Sequence, residues 1–125
     1  MTFDWSQYLN LAKELGGFAS PPANQEAKMR AAISRAYYAA FMLAKNHLRD
    51  REGLSIPKTA DAHRYVSEQF ALSPEPVRKL VGEKLIRLRL YRNQADYVDR
   101  FPGLSVLIGT AITLSEEVIA ELRNL

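Results

Sequence analysis

Between Ala23 and Arg51, apolar residues return every three or four positions: Met29, Ile33, Ala36, Tyr37, Ala40, Phe41, Ala44 and Leu48. That is the α-helical period, sustained until Gly53 and Pro57 mark a loop. A helix this long, with one continuous apolar stripe, has to lie along a core with other elements beside it. Alanines at 31, 32, 36, 39, 40 and 44 keep it slim, so those neighbours approach closely.

The remaining segments supply the neighbours. A first helix is expected from about Asp4 to Leu15, with Trp5, Tyr8, Leu9, Ala12 and Leu15 on its inward face. Gly16-Gly17 stops it, and the loop through Ser20-Pro21-Pro22 follows. A third helix is expected from about Thr59 to Phe70, with Thr59 as N-cap. Ser73-Pro74-Glu75-Pro76 opens a fourth, which runs to about Tyr97. After Phe101-Pro102-Gly103 a fifth runs from about Leu104 to Arg123, with Leu104, Leu107, Ile108, Ala111, Leu114, Val118, Leu122 and Leu125 facing inward. No segment reads as a strand. Short loops between long amphipathic helices favour antiparallel packing. The expected fold is therefore all-α, an up-and-down bundle of four to five helices. One domain spans residues 1–125, with an N-terminal helix and loop (1–22) ahead of a core bundle (23–125).

Composition narrows the function classes. With no cysteine, disulfide frameworks and cysteine-ligated zinc or iron–sulfur sites are excluded. Hydrophobic residues make up 47% and charged residues 25% of the chain, an ordinary globular balance. Met1-Thr2-Phe3-Asp4-Trp5 has no basic leader region, and no apolar run reaches membrane-spanning length, so a cytoplasmic address without membrane contact is expected. His47 and His63 lack metal-ligand spacing, and no cofactor is expected. Ser34, Tyr37 and Tyr38 have no nucleophile motif around them and read as core or interface residues.

The fourth helix carries the functional signal. Val77, Val81, Leu88, Tyr91 and Ala95 form one apolar stripe, and Ile86, Leu90 and Tyr97 form a second. Between them run Arg89, Arg92, Asn93 and Asp96, at i, i+3, i+4 and i+7. Two apolar stripes imply two neighbours, with a polar site at the seam. Residues 78–100 hold seven basic residues (Arg78, Lys79, Lys84, Arg87, Arg89, Arg92, Arg100) against three acids (Glu83, Asp96, Asp99), while the whole chain carries only +3. That segment reads either as a solvated face or as a surface for phosphates or RNA. Arg92 suits bidentate phosphate binding or a structural pair with Asp96 at i+4. His47 and His63 are further candidates, each also readable as a purely structural histidine.

Two segments together carry a family resemblance. Ser34-Arg35-Ala36-Tyr37-Tyr38-Ala39-Ala40-Phe41 resembles the S-R-A-Y-Y-A-A-F signature of small stand-alone HEPN domains, and Arg92-Asn93-Gln94-Ala95-Asp96-Tyr97 resembles their R-N-x-A-D-Y motif. Ala60-Asp61-Ala62-His63 falls where such proteins often carry Thr-His. The resemblance implies a helical bundle that forms a homodimer, with the fourth-helix motifs of two subunits meeting at a composite cleft. It implies metal-independent ribonuclease activity in members with R-x4-6-H, a toxin–antitoxin or defence context, and in some a nucleotidyltransferase-like antitoxin as partner.

This chain departs from that catalytic pattern. Asp96, Tyr97, Val98 and Asp99 follow Arg92 at four to seven residues, so the motif reads R-x4-Y. Proton transfer in metal-free RNA cleavage suits a group with a pKa near neutrality, and a tyrosine hydroxyl at about 10 is a poor base at pH 7. The expectation is a homodimer binding RNA or nucleotide through Arg89, Arg92, Asn93 and Asp96, with Ile86, Leu90 and Tyr97 at the dimer seam. Two alternatives stand beside it. One is a ribonuclease toxin using Arg92 with Tyr97, His47 or His63. The other is a partner-binding bundle without catalysis.

Overall fold

The computed structural model describes residues 2–125; Met1 of the N-terminal stretch lies outside them. Helix α2, Gln25–Arg51, is the spine against which the others pack. It begins after Asn24, whose side-chain oxygen accepts from the backbone N–H of Ala27 at 2.9 Å, a true N-cap that moves the start from the expected Ala23. Its expected inward stripe is the observed one: Ile33, Tyr37, Ala40, Phe41, Ala44 and Leu48 are buried, with Met29 and Ala36 partly so.

Helix α4, Pro76–Tyr97, runs antiparallel to α2, because Tyr38 meets Arg92 near one end and Glu52 meets Arg78 near the other. Glu75 caps it, accepting from the N–H groups of Val77 and Arg78, with Pro76 at the first position where no N–H is needed. Helix α5, Leu104–Arg123, has the expected bounds and inward face, and Ser115 donates to the Ala36 carbonyl of α2 at 2.7 Å. Lys84 of α4 reaches Glu121 of α5 at 2.9 Å, so these two are also antiparallel.

Helix α3, Asp61–Ala71, starts two residues later than expected. Ala60 stands at the cap without a side-chain bond, while Thr59 accepts from the N–H of Asp61 in a local turn. The segment between α2 and α3 runs back along α2, with Leu54 and Ile56 packed on the core. Consequently α3 points the same way as α2: His63 lies at Tyr37, and Phe70 lies at His47. The up-and-down alternation holds from α3 through α5. Where α3 crosses α4 the backbones nearly touch. A Cβ on Gly82 would sit 2.2 Å from the Ala71 nitrogen, so only glycine fits.

Helix α1, Ser6–Leu15, lays an edge on α2. The expected inward face of α1 is corrected. Leu11 is the buried residue, whereas Leu9 and Leu15 stand about 59% and 58% exposed and Ala12 is exposed too. The cause is a tether at the N-terminal end. Phe3 is buried, its N–H donates to the Asp99 carbonyl at 3.0 Å, and the Trp5 indole donates to the Asp99 carboxylate at 2.8 Å. These contacts rotate α1 so that Trp5, Tyr8 and Leu11 meet Ala23, Ala27 and Ala31.

Candidate functional site

The site arises from a mismatch of helix lengths. Helix α3 is short and closes on α4 at Gly82, leaving the same side of α4 open further along, beside the N-terminal end of α3. Arg89 and Arg92 lie on that side, toward Tyr37, Tyr38 and His63.

Arg92 is the anchor and is only 7% exposed. Its Nη1 donates to the Tyr38 hydroxyl at 3.2 Å. Its guanidinium carbon lies 5.3 Å from the Tyr37 ring centre, 5.4 Å from that of Tyr38 and 6.0 Å from that of Tyr97, all within cation–π reach. The two sequence motifs are therefore one packed unit. The Nε groups of Arg89 and Arg92 are both buried and both lack a hydrogen-bond partner. Those two nitrogens are covered, so an anion offsets the charge of these guanidinium groups at their terminal nitrogens.

His63 of α3 completes the cluster. Its Nδ1 lies 2.5 Å from the Tyr37 hydroxyl, and its ring stacks on Phe41 with centroids 4.4 Å apart. Burial, and then the charges of Arg89 and Arg92, push its pKa below the ordinary 6.5, so it is neutral at pH 7. Burial raises Tyr37 to about 12, so its hydroxyl keeps its proton. The site is thus two guanidinium groups, a neutral imidazole and two phenols.

The other expected residues divide. Asp96 turns away from Arg92 and accepts from the Ser34 hydroxyl at 3.1 Å, so the alternative i+4 pair of Arg92 with Asp96 is not formed. It borders an open hollow of about 200 Å³ with Tyr8, Ser34 and Arg35. Tyr8 there is raised to about 12, by burial first and by the charge of Asp96 second. Asn93 and Tyr97 line a second hollow with Leu90, on the outer side of α4. Ile86, Leu90 and Tyr97 are 42%, 59% and 70% exposed, so the second apolar stripe has no neighbour within the chain. His47 lies apart from the cluster. Its Nε2 is 3.1 Å from Glu52, which also pairs with Arg78, and together they clasp the end of α2 to the start of α4.

Two residues were not singled out from the sequence for what they do here. Tyr38 read as interface and is the acceptor for Arg92. Arg30 is fully buried in α2. It donates to the carbonyls of Ala95, Val98 and Asp99 at 3.0, 2.6 and 3.0 Å, and lies 4.5 Å from the Phe3 ring and 5.0 Å from that of Trp5. It satisfies the C-terminal carbonyls of α4 and so fixes the end that carries the motif. The signal was present: Arg30 falls on the stripe of Ile33 and Tyr37, at i+3 and i+7. A charge on an apolar stripe needs buried acceptors.

Among the described residues, no group of His, Asp and Glu is arranged to hold a metal ion, and no helix is long and apolar enough to cross a membrane. A family model described as HEPN domain matches residues 23–125, leaving α1 and the loop after it outside the match. No curated protein matches the chain, and no solved structure does.

Proposed function

The chain belongs to the HEPN domain family, and from that premise we propose that it binds RNA or a nucleotide by its phosphates at Arg89 and Arg92. The observation that carries this reading is that neither guanidinium has a carboxylate partner among the described residues: Arg92 bonds only the Tyr38 hydroxyl through Nη1, and Arg89 bonds nothing. A phosphate accepts from guanidinium groups bidentately, and such charge-assisted bonds are worth about 1.5–3 kcal/mol each. Tyr38 and the exposed Tyr97 offer ring faces beside Arg92 on which unstacked bases can lie, which favours single-stranded RNA over duplex. Asn93 supplies an amide at the rim, and Asp96 holds the α1 flank through Ser34.

The protein acts as a homodimer. Ile86, Leu90 and Tyr97 are its seam, since they form an apolar stripe beside the arginines with nothing over it. A second copy seated there brings two arginine clusters to one cleft. The setting is a toxin–antitoxin or defence system, with a nucleotidyltransferase-like antitoxin as partner.

The test is binding of labelled single-stranded RNA. Arg89→Ala and Arg92→Ala should each weaken it about tenfold or more. If both bind as the wild type does, the polar strip only fixes the packing of a partner-binding bundle. A second reading, metal-independent ribonuclease, is favoured by the position of His63 beside the two arginines.

A further inference from the structure

We infer that His63, carried on α3 outside the R-x4-Y motif, is the catalytic histidine of this site, moving the proton in cleavage of an RNA strand held on Arg89 and Arg92. The inference rests on the proposed RNA site.

His63 and Arg92 share the same two rings. The imidazole centroid lies 5.6 Å from that of Tyr37 and 5.9 Å from that of Tyr38, and the Arg92 guanidinium lies 5.3 and 5.4 Å from them. The imidazole is held on one edge by the Tyr37 hydroxyl and on one face by Phe41, while Nε2 takes no bond from any described residue. That is the arrangement a proton-transfer group needs: oriented through one nitrogen, free at the other.

His63 also borders a second basic surface. It lines an open hollow of about 510 Å³ with Lys45, Arg49, Lys58 and Thr59. Arg49 is held by Asp50, but Lys45 and Lys58 are in no ion pair among the described residues. A strand crossing His63 therefore has cations for its phosphates on both sides, Arg89 and Arg92 on one and Lys45 and Lys58 on the other. His47 is bonded to Glu52 at the far end of α2 and has no such neighbours.

The step balances without a co-reactant. With the Nδ1–H donating to the Tyr37 oxygen, His63 Nε2 carries the free lone pair and takes the proton of a ribose 2′-OH, and that oxygen forms a bond to the adjacent phosphorus. The bond from phosphorus to the 5′-oxygen breaks, and the leaving oxygen takes a proton from water. The imidazolium returns its proton to the hydroxide left behind. Arg89 and Arg92 offset the charge that builds on the phosphoryl oxygens. The products are a 2′,3′-cyclic phosphate and a 5′-hydroxyl.

The experiment follows a labelled single-stranded RNA in EDTA, with binding and cleavage both measured for wild type, His63→Ala, His63→Gln and Arg92→Ala. The expected result is cleavage by wild type that ends in a 2′,3′-cyclic phosphate. Both His63 variants should bind RNA within about twofold of wild type and cut about 100-fold more slowly or worse. The wild-type rate should fall on the acid side, below pH 6.5, as His63 takes up a proton against the charges of Arg89 and Arg92. Binding without cleavage by wild type, or wild-type cleavage by both His63 variants, overturns the role of His63 and leaves the binding site standing. No binding by folded wild type overturns both.

Discussion

Arg92 donates to the hydroxyl of Tyr38 across the α2–α4 interface at 3.2 Å, joining the fourth-helix motif to the second-helix motif side chain to side chain. The bond occupies Nη1 and leaves Nε of the same guanidinium buried and without an acceptor. Tyr38 thereby aims the arginine, and Nη2, which bonds no described residue, is the donor left for a ligand. Tyr38→Phe keeps the ring under the guanidinium and removes the acceptor. Its RNA affinity should fall about threefold to tenfold, near 1 kcal/mol, with little change in melting temperature. Fluorescence anisotropy beside a thermal melt separates the two effects.

Arg30 holds the last turn of α4 by its carbonyls under the rings of Phe3 and Trp5. Arg30→Met fills part of the volume and strands those carbonyls. A loss of about 3–5 kcal/mol is expected, from urea unfolding followed by circular dichroism. A loss under 1 kcal/mol would mean that water replaces the guanidinium at no cost.

Gly82→Ala places a methyl 2.2 Å from the Ala71 backbone nitrogen, where no flexible side chain can yield. Helix α3 has to move off α4. Destabilisation of about 1–3 kcal/mol or more is expected, despite the better helix propensity of alanine. Unchanged stability would place the α3–α4 crossing elsewhere.

The pKa of His63 is lowered by burial, then by Arg89 and Arg92. Its unfolded value is the ordinary 6.5, so below that pH the unfolded chain binds the proton first. Stability from this group is complete above pH 6.5 and is lost as the pH falls from there toward the lower folded value. Melting temperatures between about pH 5 and 8 should drop on the acid side, and His63→Gln should shrink that drop. An identical acid-side fall in the variant would assign it to other groups.

Leu90 is 59% exposed in the single chain and lies between Ile86 and Tyr97. Leu90→Glu should leave helicity and melting intact and shift the protein from dimer to monomer in sedimentation. Unfolding of the variant would instead place this stripe in the core.

Much of the fold was legible because its causes are local. The periods of α2 and α5, and the Gly53 and Pro57 stop after α2, depend on residues close in sequence; the end of α2 and both ends of α5 follow, while the Asn24 cap moves the start of α2. Where a distant contact decides, the sequence was silent. The face of α1 is set by Asp99 holding Phe3 and Trp5, which no helical wheel contains. The site divides in the same way. The strip of Arg89, Arg92, Asn93 and Asp96 is a fact of one helix. The meeting of Arg92 with Tyr38, and of His63 with Tyr37, depends on the loop that turns α3 parallel to α2. Asp96 shows the converse. A local rule offered it Arg92, and Ser34 of α2 took it.

The deciding measurement is equilibrium binding of a labelled single-stranded RNA over a salt series, wild type beside Arg92→Ala and the double variant with Arg89→Ala. Saturable wild-type binding is expected, weakened about tenfold or more in Arg92→Ala and further in the double variant, with the salt dependence shallower by about one phosphate contact per arginine removed. Equal affinity and equal salt dependence in all three folded proteins would contradict a phosphate site at these arginines.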